Sequence, residues 1–156
     1  MGDTDLECTR APRCAAEYQS KISGPLLDRI DIQVDVPKVS ISDLSSDRTG
    51  ELSSVVAYRV SAAREIQKNR FETIAPESGI RLNSEANGEL LETISLLSIE
   101  AKNLLNQAAN HMKLSARAYY RMMRLARTIA DLDGGTEEVG TVHMSEAISY
   151  RRIKSD

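Results

Sequence analysis

The sequence has few aromatic residues and no long apolar run. Tryptophan is absent, phenylalanine occurs once, and aromatic residues make up 4% of the 156 positions. A core made from this composition must rely on Leu, Ile, Val, Ala and Met, which suit packed helices. No apolar stretch reaches the roughly 18 residues of a membrane-spanning helix, and the polar first ten residues do not resemble a signal peptide. We therefore expect a mainly helical, cytoplasmic protein with no membrane partner.

Neither positive nor negative charge is in large excess, and cysteine is scarce. Twenty Lys and Arg against 23 Asp and Glu leave a net charge of −3, which by itself predicts neither nucleic acid nor an anionic membrane as partner. The two cysteines, Cys8 and Cys14, favour reduced cytosolic thiols. Their spacing differs from that of a standard zinc finger, and two thiolates cannot complete a tetrahedral site. We expect no metal to be bound by this chain.

The motifs of a complete nucleotide site are missing. There is no G-x-x-x-x-G-K-[ST] phosphate-binding loop and no apolar strand that ends in paired acidic residues. This chain alone is therefore predicted to be inactive as an ATPase and to hold no cofactor. No Ser/His/Asp or Cys/His arrangement is evident either, and the two histidines, His111 and His143, are expected at helix surfaces.

The hydrophobic pattern predicts one strand followed by several helices. Strict alternation over Ile30–Val36 predicts a half-buried strand. Because a lone strand cannot satisfy its backbone groups, we expect its partners to lie outside this chain. A long helix is predicted at Gly50–Phe71, with an apolar stripe at Leu52, Val56, Val60, Ala63 and Ile66. Further helices are predicted at Asn83–Ile94 and after the N-cap residues Ser98, Ser115 and Thr141.

The helix after Ser115 carries an unusual set of arginines. At about 100° per residue, Arg117, Arg121 and Arg124 fall on one narrow face, opposite an apolar stripe that includes Met123. A solvated charged face is the ordinary interpretation of such a pattern. A phosphate-binding face is the alternative, because the rigid fork of arginine suits phosphate oxygens.

Two groups of residues resemble a known family. The stretch Ile22-Ser23-Gly24-Pro25-Leu26-Leu27-Asp28-Arg29-Ile30-Asp31 resembles the end of the ATPase core in magnesium-chelatase-like AAA+ proteins of the ComM/YifB family. The segments Leu114–Leu132 and Val142–Arg151 are similar to lid helices of that family. The resemblance runs from about Cys8 to Arg152 and includes both groups, which makes it more specific than either group alone.

The resemblance implies a fold and a domain organisation. We expect a mainly α fold that joins a helical AAA+ lid bundle to the last β-strand of an α/β ATPase core, with a long inserted helix between them. Residues 1–38 would end the core and carry the cysteine-containing loop, the arginine-finger turn and the last strand. Residues 39–82 would form a linker and the inserted helix, and residues 83–156 the lid.

The resemblance also implies roles for individual residues. Arg29 matches the arginine finger, which acts on ATP bound by a neighbouring subunit. Arg117 matches the sensor-2 arginine of the lid, and Arg124 follows it at the seven-residue step found in related helicases. Both are expected to contact the nucleotide. Cys8 and Cys14 resemble one of two cysteine pairs, which would make them half of a zinc site in the full-length protein.

The function implied by the resemblance is that of an AAA+ ATPase that couples ATP hydrolysis to the remodelling of a macromolecule, with DNA as the favoured substrate over protein. The full-length protein would use ATP and Mg²⁺, would include an upstream AAA+ core, and would assemble as a homo-hexamer. One alternative is a non-enzymatic helical module whose arginine face binds nucleic acid. Another is the ATPase subunit of a metal-insertion machine.

Overall fold

The computed structural model describes residues 17, 21–34, 36, 39 and 50–151. Within them the regular structure is helical, which confirms the mainly α expectation, and no helix is long and apolar enough to cross a membrane. The helices are α1 (Gly24–Leu27), α2 (Ser53–Ile74), α3 (Gly88–Ile94), α4 (Ile99–His111), α5 (Ala116–Leu132) and α6 (Thr141–Ser149). Two 3₁₀ turns, Pro76–Ser78 and Asn83–Glu85, lie between α2 and α3.

The chain divides into two units, which are described separately. The first comprises residues 1–30 and 34–49, and the second comprises residues 31–33 and 50–156. In the first unit, α1 is a single turn with Pro25 at its second position, where the missing amide hydrogen costs no helical bond. The Arg29 amide donates to the Leu26 carbonyl oxygen at 3.0 Å, so a tight turn follows α1.

The predicted strand at Ile30–Val36 is wrong for the described residues of that segment. Residues 30–34 and 36 belong to no strand, and Ile32, Val34 and Val36 are 49%, 63% and 86% exposed. The Gln33 amide instead donates to the carbonyl oxygen of Tyr150 at 2.8 Å. Alternation specifies a strand only where a second strand completes the ladder. In the described part of the chain, β pairing consists of one isolated parallel bridge, Leu97 to Val139.

Helices α4, α5 and α6 enclose the main core of the second unit. Helix α6 packs against both α4 and α5, and α5 also packs against α2. The buried members of this core are aliphatic or methionine side chains, as the composition predicts: Ala101, Leu105, Met122, Met123, Ala126, Ile129, Ala130, Val139, Met144 and Ala147. A second cluster joins the end of α2 to α3 through Phe71, Ala86, Leu91 and Ile94.

Helix α2 begins and ends three residues later than the pattern indicates. Its buried positions are Ala63, Gln67 and Phe71. The first part of the predicted apolar stripe is not buried, since Val56 and Val60 are 39% and 44% exposed. The contacts of α2 with α5 and α3 lie toward its C-terminal end, so periodicity identified the helix but not the part of it that is covered.

Helix boundaries in the bundle follow local capping. Ser98 and Ser115 are N-caps as predicted, since their Oγ atoms accept amide bonds from Ala101 and Ala118 at 3.0 and 3.2 Å. The predicted helix at Asn83–Ile94 is instead interrupted: residues Ala86 and Asn87 are extended between the second 3₁₀ turn and α3.

The start of α6 differs from the prediction at two residues. Gly140 is the N-cap, and Thr141 is already helical. The Gly140 amide donates to Nδ1 of His143 at 3.1 Å, and Nε2 of His143 lies 3.2 Å from Oδ2 of Asp133. These contacts bury His143 to 8% exposure, so the surface position expected for it is wrong. His111 is exposed, as expected.

Candidate functional site

Helix α5 separates an apolar face from an arginine face. Its apolar side chains face the core, with Met122, Met123 and Ala126 all buried. It ends where Gly134 and Gly135 take positive φ values of 101° and 77°, and the Gly135 amide donates to the Ala130 carbonyl oxygen at 2.9 Å. This left-handed stop is favoured by glycine. It fixes the C-terminal end of α5.

The arginine face borders a groove of about 360 Å³ between α5 and the start of α3. The lining residues include Arg117, Tyr120, Arg121 and Arg124 from α5, and Asn87 and Leu91 from the α3 side. Spacing alone predicted that the three arginines share a face, and the structure places all three on this groove. Three guanidinium groups in one concave surface form a cationic site, suited to an anion such as phosphate.

Arg124 forms the wall nearest α3. One of its terminal nitrogens donates to the Ala86 carbonyl oxygen at 2.7 Å and to Oδ1 of Asn87 at 3.1 Å. Its Nε is buried without a hydrogen-bond partner in the described structure. Burial lowers the pKa of Arg124, and the positive charge of Arg121 lowers it further, while Asp31 opposes both. An anion in the groove would offset the unfavourable desolvation of this guanidinium.

Arg121 is engaged by an acidic residue far away in sequence. Its Nε and a terminal nitrogen donate to the two carboxylate oxygens of Asp31, the second at 2.6 Å. A two-point contact of this kind is the most specific form of arginine–carboxylate pairing. The Arg121 side chain is 25% exposed and that of Asp31 is 45% exposed, so solvent screens the pair in part.

Arg117 differs from its two neighbours. It is exposed at the mouth of the groove, and within residues 17, 21–34, 36, 39 and 50–151 no hydrogen bond or ion pair engages its side chain. Tyr120 lies beside it, and its hydroxyl donates to Oε1 of Glu92 at 3.1 Å. That bond to a carboxylate raises the pKa of Tyr120. Among the described residues, Arg117 is thus the groove arginine without a hydrogen-bond or ion-pair partner.

The other residues singled out by the sequence lie elsewhere. Arg29 is exposed in the turn after α1, in the first unit. Cys8 and Cys14 lie outside the described residues. Among the residues that are described, no group of three or more His, Cys, Asp or Glu side chains could hold a metal ion.

Sequence reasoning missed two features next to the arginine face. Asp31 was placed on the polar side of a strand, and its pairing across 90 positions with Arg121 has no local signal. Arg127 was not distinguished from the other arginines of α5, yet it is 1% exposed and paired with Asp131. The i, i+4 spacing of Arg127 and Asp131 was visible, but periodicity alone does not tell a buried pair from an exposed one.

The comparisons with known proteins agree with this architecture. Residues 50–151 match the family described as magnesium chelatase, subunit ChlI C-terminal, and residues 1–44 match the one described as magnesium chelatase, subunit ChlI. The chain therefore belongs to the magnesium chelatase family, as the C-terminal region of a ChlI-like protein.

Within that family the chain is similar to the ComM and YifB proteins. It is 35% identical over 145 residues to the competence protein ComM of Haemophilus influenzae, covering 92% of this chain and 26% of ComM. It is 35% identical over 147 residues to YifB of Escherichia coli and 33% identical over 147 residues to YifB of Salmonella typhimurium, covering 94% of this chain and 27% of each YifB. The chain thus spans about a quarter of the length of these relatives.

Proposed function

We propose that this chain is the lid and arginine-finger region of an AAA+ ATPase that couples ATP hydrolysis to the remodelling of DNA. The observation that carries the proposal is the groove on α5, in which three arginines converge and Arg117 is unengaged within the described residues. Membership of the magnesium chelatase family supports it. Guanidinium groups that turn toward one concave surface, instead of spreading along a solvated helix, favour phosphate binding over a plain charged face.

Each arginine has a separate proposed role. Arg117 binds phosphate oxygens of the nucleotide as the sensor-2 residue of the lid. Arg124 adds positive charge and, through Ala86 and Asn87, holds the α3 side of the groove in place. Arg29 is the arginine finger, which stabilises negative charge on the phosphoryl group as it is transferred in a neighbouring subunit.

The described residues fit the phosphates of ATP better than its metal. Arginine offers donors but no acceptor, so the groove suits the anionic part of the nucleotide. We propose that Mg²⁺ and the phosphate-binding loop belong to an upstream AAA+ core of the same protein. Cys8 and Cys14 are proposed as half of a zinc site completed by that core.

The remaining expectations are proposals on the same basis. Residues 1–38, 39–82 and 83–156 are proposed as the end of the core, the linker with the inserted helix, and the lid. A cytoplasmic homo-hexamer is proposed because an arginine finger acts across a subunit interface. The family description would also suit the ATPase subunit of a metal-insertion machine. The two alternatives differ in whether DNA or a metal-insertion substrate stimulates ATP turnover.

A second candidate function is direct binding of nucleic acid in the groove. Tyr120 favours it, since this residue is 37% exposed beside Arg117 and its ring offers a surface on which a base could stack. Replacing Arg117 distinguishes ATP binding in the groove from nucleic-acid binding in the groove. Weakened ATP binding supports the lid role, whereas weakened DNA binding with unchanged ATP binding supports the nucleic-acid module.

The deciding experiment measures ATP affinity and turnover in the full-length ATPase that carries this region. Arg29→Ala should lower kcat by about 10³-fold or more with little change in ATP affinity, the pattern of a group that acts in the transition state. Arg117→Ala should weaken ATP binding as well as turnover. Arg59→Ala is the matched control, because Arg59 is an exposed arginine paired with Glu51 away from the groove. Unchanged ATP affinity and turnover in Arg117→Ala would reject the assigned site.

The position of Arg29 across a subunit interface has its own test. Subunits with Arg29→Ala are mixed with subunits that lack the phosphate-loop lysine. Some interfaces in the mixture then combine an intact loop with an intact finger, so partial activity should return. If both variants assemble normally and every mixture stays inactive, Arg29 is not a finger supplied to a neighbour.

A further inference from the structure

Asp31 engages the central arginine of the groove. Its carboxylate engages Arg121 at two points, while Arg124 donates to the loop before α3. Arg117, one helical turn before Arg121, has no partner in the described part of the chain. The groove therefore holds three guanidinium groups, but an arriving anion meets one that is open and one that is already paired with an acid.

We propose that Asp31 competes with ligands for Arg121 and so lowers the affinity of this groove for polyphosphate, while it leaves the binding of single phosphate groups unchanged. This inference rests on the proposed phosphate-binding role of the groove. A chain of linked phosphates can engage Arg117 and Arg121 together, because side chains four positions apart on a helix are neighbours. It also brings more negative charge than the one carboxylate that it displaces. A single phosphate binds at Arg117 and leaves the Asp31–Arg121 pair closed.

The pair is suited to such an exchange. Both partners are partly solvent-exposed, so the attraction between them is moderate and a ligand of higher charge can overcome it. Opening a fully buried pair costs far more, and the Arg127–Asp131 pair of the same helix, whose side chains are 1% and 0% exposed, is of that kind. The segment that carries Asp31 is non-helical, which allows the carboxylate to withdraw without breaking a helix.

The test is a titration of the 156-residue chain with inorganic tripolyphosphate and with inorganic monophosphate, followed by calorimetry. Asp31→Asn should bind tripolyphosphate about three- to fivefold more tightly, the scale of one partly exposed ion pair. Its affinity for monophosphate should change less than about twofold. Glu51→Gln is the matched control, since it makes the same charge change and breaks another exposed arginine pair, Arg59–Glu51, away from the groove. This control should leave both affinities unchanged.

A double-mutant cycle separates the pair from a general change in charge. In an Arg121→Gln background, Asp31→Asn should no longer tighten tripolyphosphate binding, because no arginine is released. An equal gain in both backgrounds would overturn the proposal. So would an equal gain for monophosphate and tripolyphosphate, since the effect of Asp31 would then not depend on displacement from Arg121.

An NMR measurement on the wild-type protein tests the same inference if Asp31→Asn does not fold. The Nε–H resonance of Arg121 should shift when tripolyphosphate is added and stay in place with monophosphate. If only the Arg117 resonance moves with tripolyphosphate, Asp31 keeps Arg121 and the inference fails, while the groove remains a phosphate site. If the chain binds neither ligand at any accessible concentration, the proposed function of the groove fails as well.

Discussion

At the scale of single residues, Asp131 is the acidic centre of a buried network. Its carboxylate accepts from Arg70 Nη1 at 3.0 Å, Arg127 Nε at 3.1 Å and Asn83 Nδ2 at 2.7 Å. Arg127 also donates to the carbonyl oxygens of Thr136 and Glu137 at 2.6 and 3.1 Å. Burial lowers the pKa of Arg127, and the Asp131 carboxylate counters that effect. Asp131 thus links α2, a 3₁₀ turn and α5, and its partner Arg127 extends the network to the loop before α6.

Asp131→Ala should therefore lower the free energy of unfolding by about 3 to 5 kcal/mol, because it leaves buried guanidinium groups without their counter-charge. Urea denaturation followed by circular dichroism measures the change. Asp133→Ala is the control: the Asp133 side chain is 70% exposed and contacts His143, so its removal should cost less than about 1 kcal/mol. Similar denaturation midpoints for the two variants would show that the network contributes little.

Residue types and spacing predicted part of this picture. The shared face of Arg117, Arg121 and Arg124 followed from helical periodicity, and all three line one groove. The different states of these arginines did not follow, since the partner of Arg121 is 90 positions away and the partners of Arg124 lie 37 and 38 positions away. Local pattern contains no information about which distant acceptor a long side chain will reach.

At the scale of elements, the stop after α5 lies in close contact with α2. Gly135 has φ of 77°, and a Cβ built there would lie 2.9 Å from Cδ1 and Cγ2 of Ile66 on α2. Two consecutive glycines, Gly134 and Gly135, are a helix-stop signal in the sequence itself, and α5 ends just before them at Leu132. The close approach of α2 is a second reason for glycine at this position.

Gly135→Ala should destabilise the protein by about 1 to 3 kcal/mol through overpacking and left-handed strain together. Gly79→Ala is a matched control, because Gly79 has a similar φ of 69° with no atom within 4 Å of the built Cβ. Thermal denaturation of both should show the larger loss for Gly135→Ala. In an Ile66→Ala background, the additional destabilisation of Gly135→Ala relative to Gly79→Ala should become smaller, because the side chain that crowds position 135 is then shortened. The effect of Gly79→Ala should be unchanged. If the two glycine variants melt alike, contact with Ile66 does not limit this position.

At the scale of the whole molecule, the second unit contains the two hydrophobic clusters of the described residues. Their buried side chains lie between Phe71 and Ala147. Residues 31–33 add the Asp31–Arg121 pair and the bond from the Gln33 amide to the Tyr150 carbonyl oxygen. Both are partly exposed polar contacts, so residues 50–156 contain most of what stabilises the unit.

A fragment of residues 50–156 should therefore unfold cooperatively, with a Tm within about 10 °C of that of the 156-residue chain. Loss of the Asp31–Arg121 pair and of the Gln33–Tyr150 hydrogen bond should lower the free energy of unfolding by about 1 to 2 kcal/mol. In a unit of this size, such a loss corresponds to a fall in Tm of up to about 10 °C. Differential scanning calorimetry on both proteins measures it. A fragment that melts without a cooperative transition would show that the first 49 residues are needed for the bundle to fold.

The sequence by itself determined the mainly α class, the Ser98 and Ser115 caps, the stop at Gly134–Gly135 and the common face of three arginines, because each depends on residues within a few positions of one another. Tertiary structure decided the rest. Ile30–Val36 alternates like a strand, yet no strand forms in its described residues, since a ladder needs a partner that local pattern cannot supply. Likewise, Arg127 is buried and Arg117 is exposed, although both are arginines on α5, because the surrounding helices determine which positions are covered and which distant carboxylates come within reach.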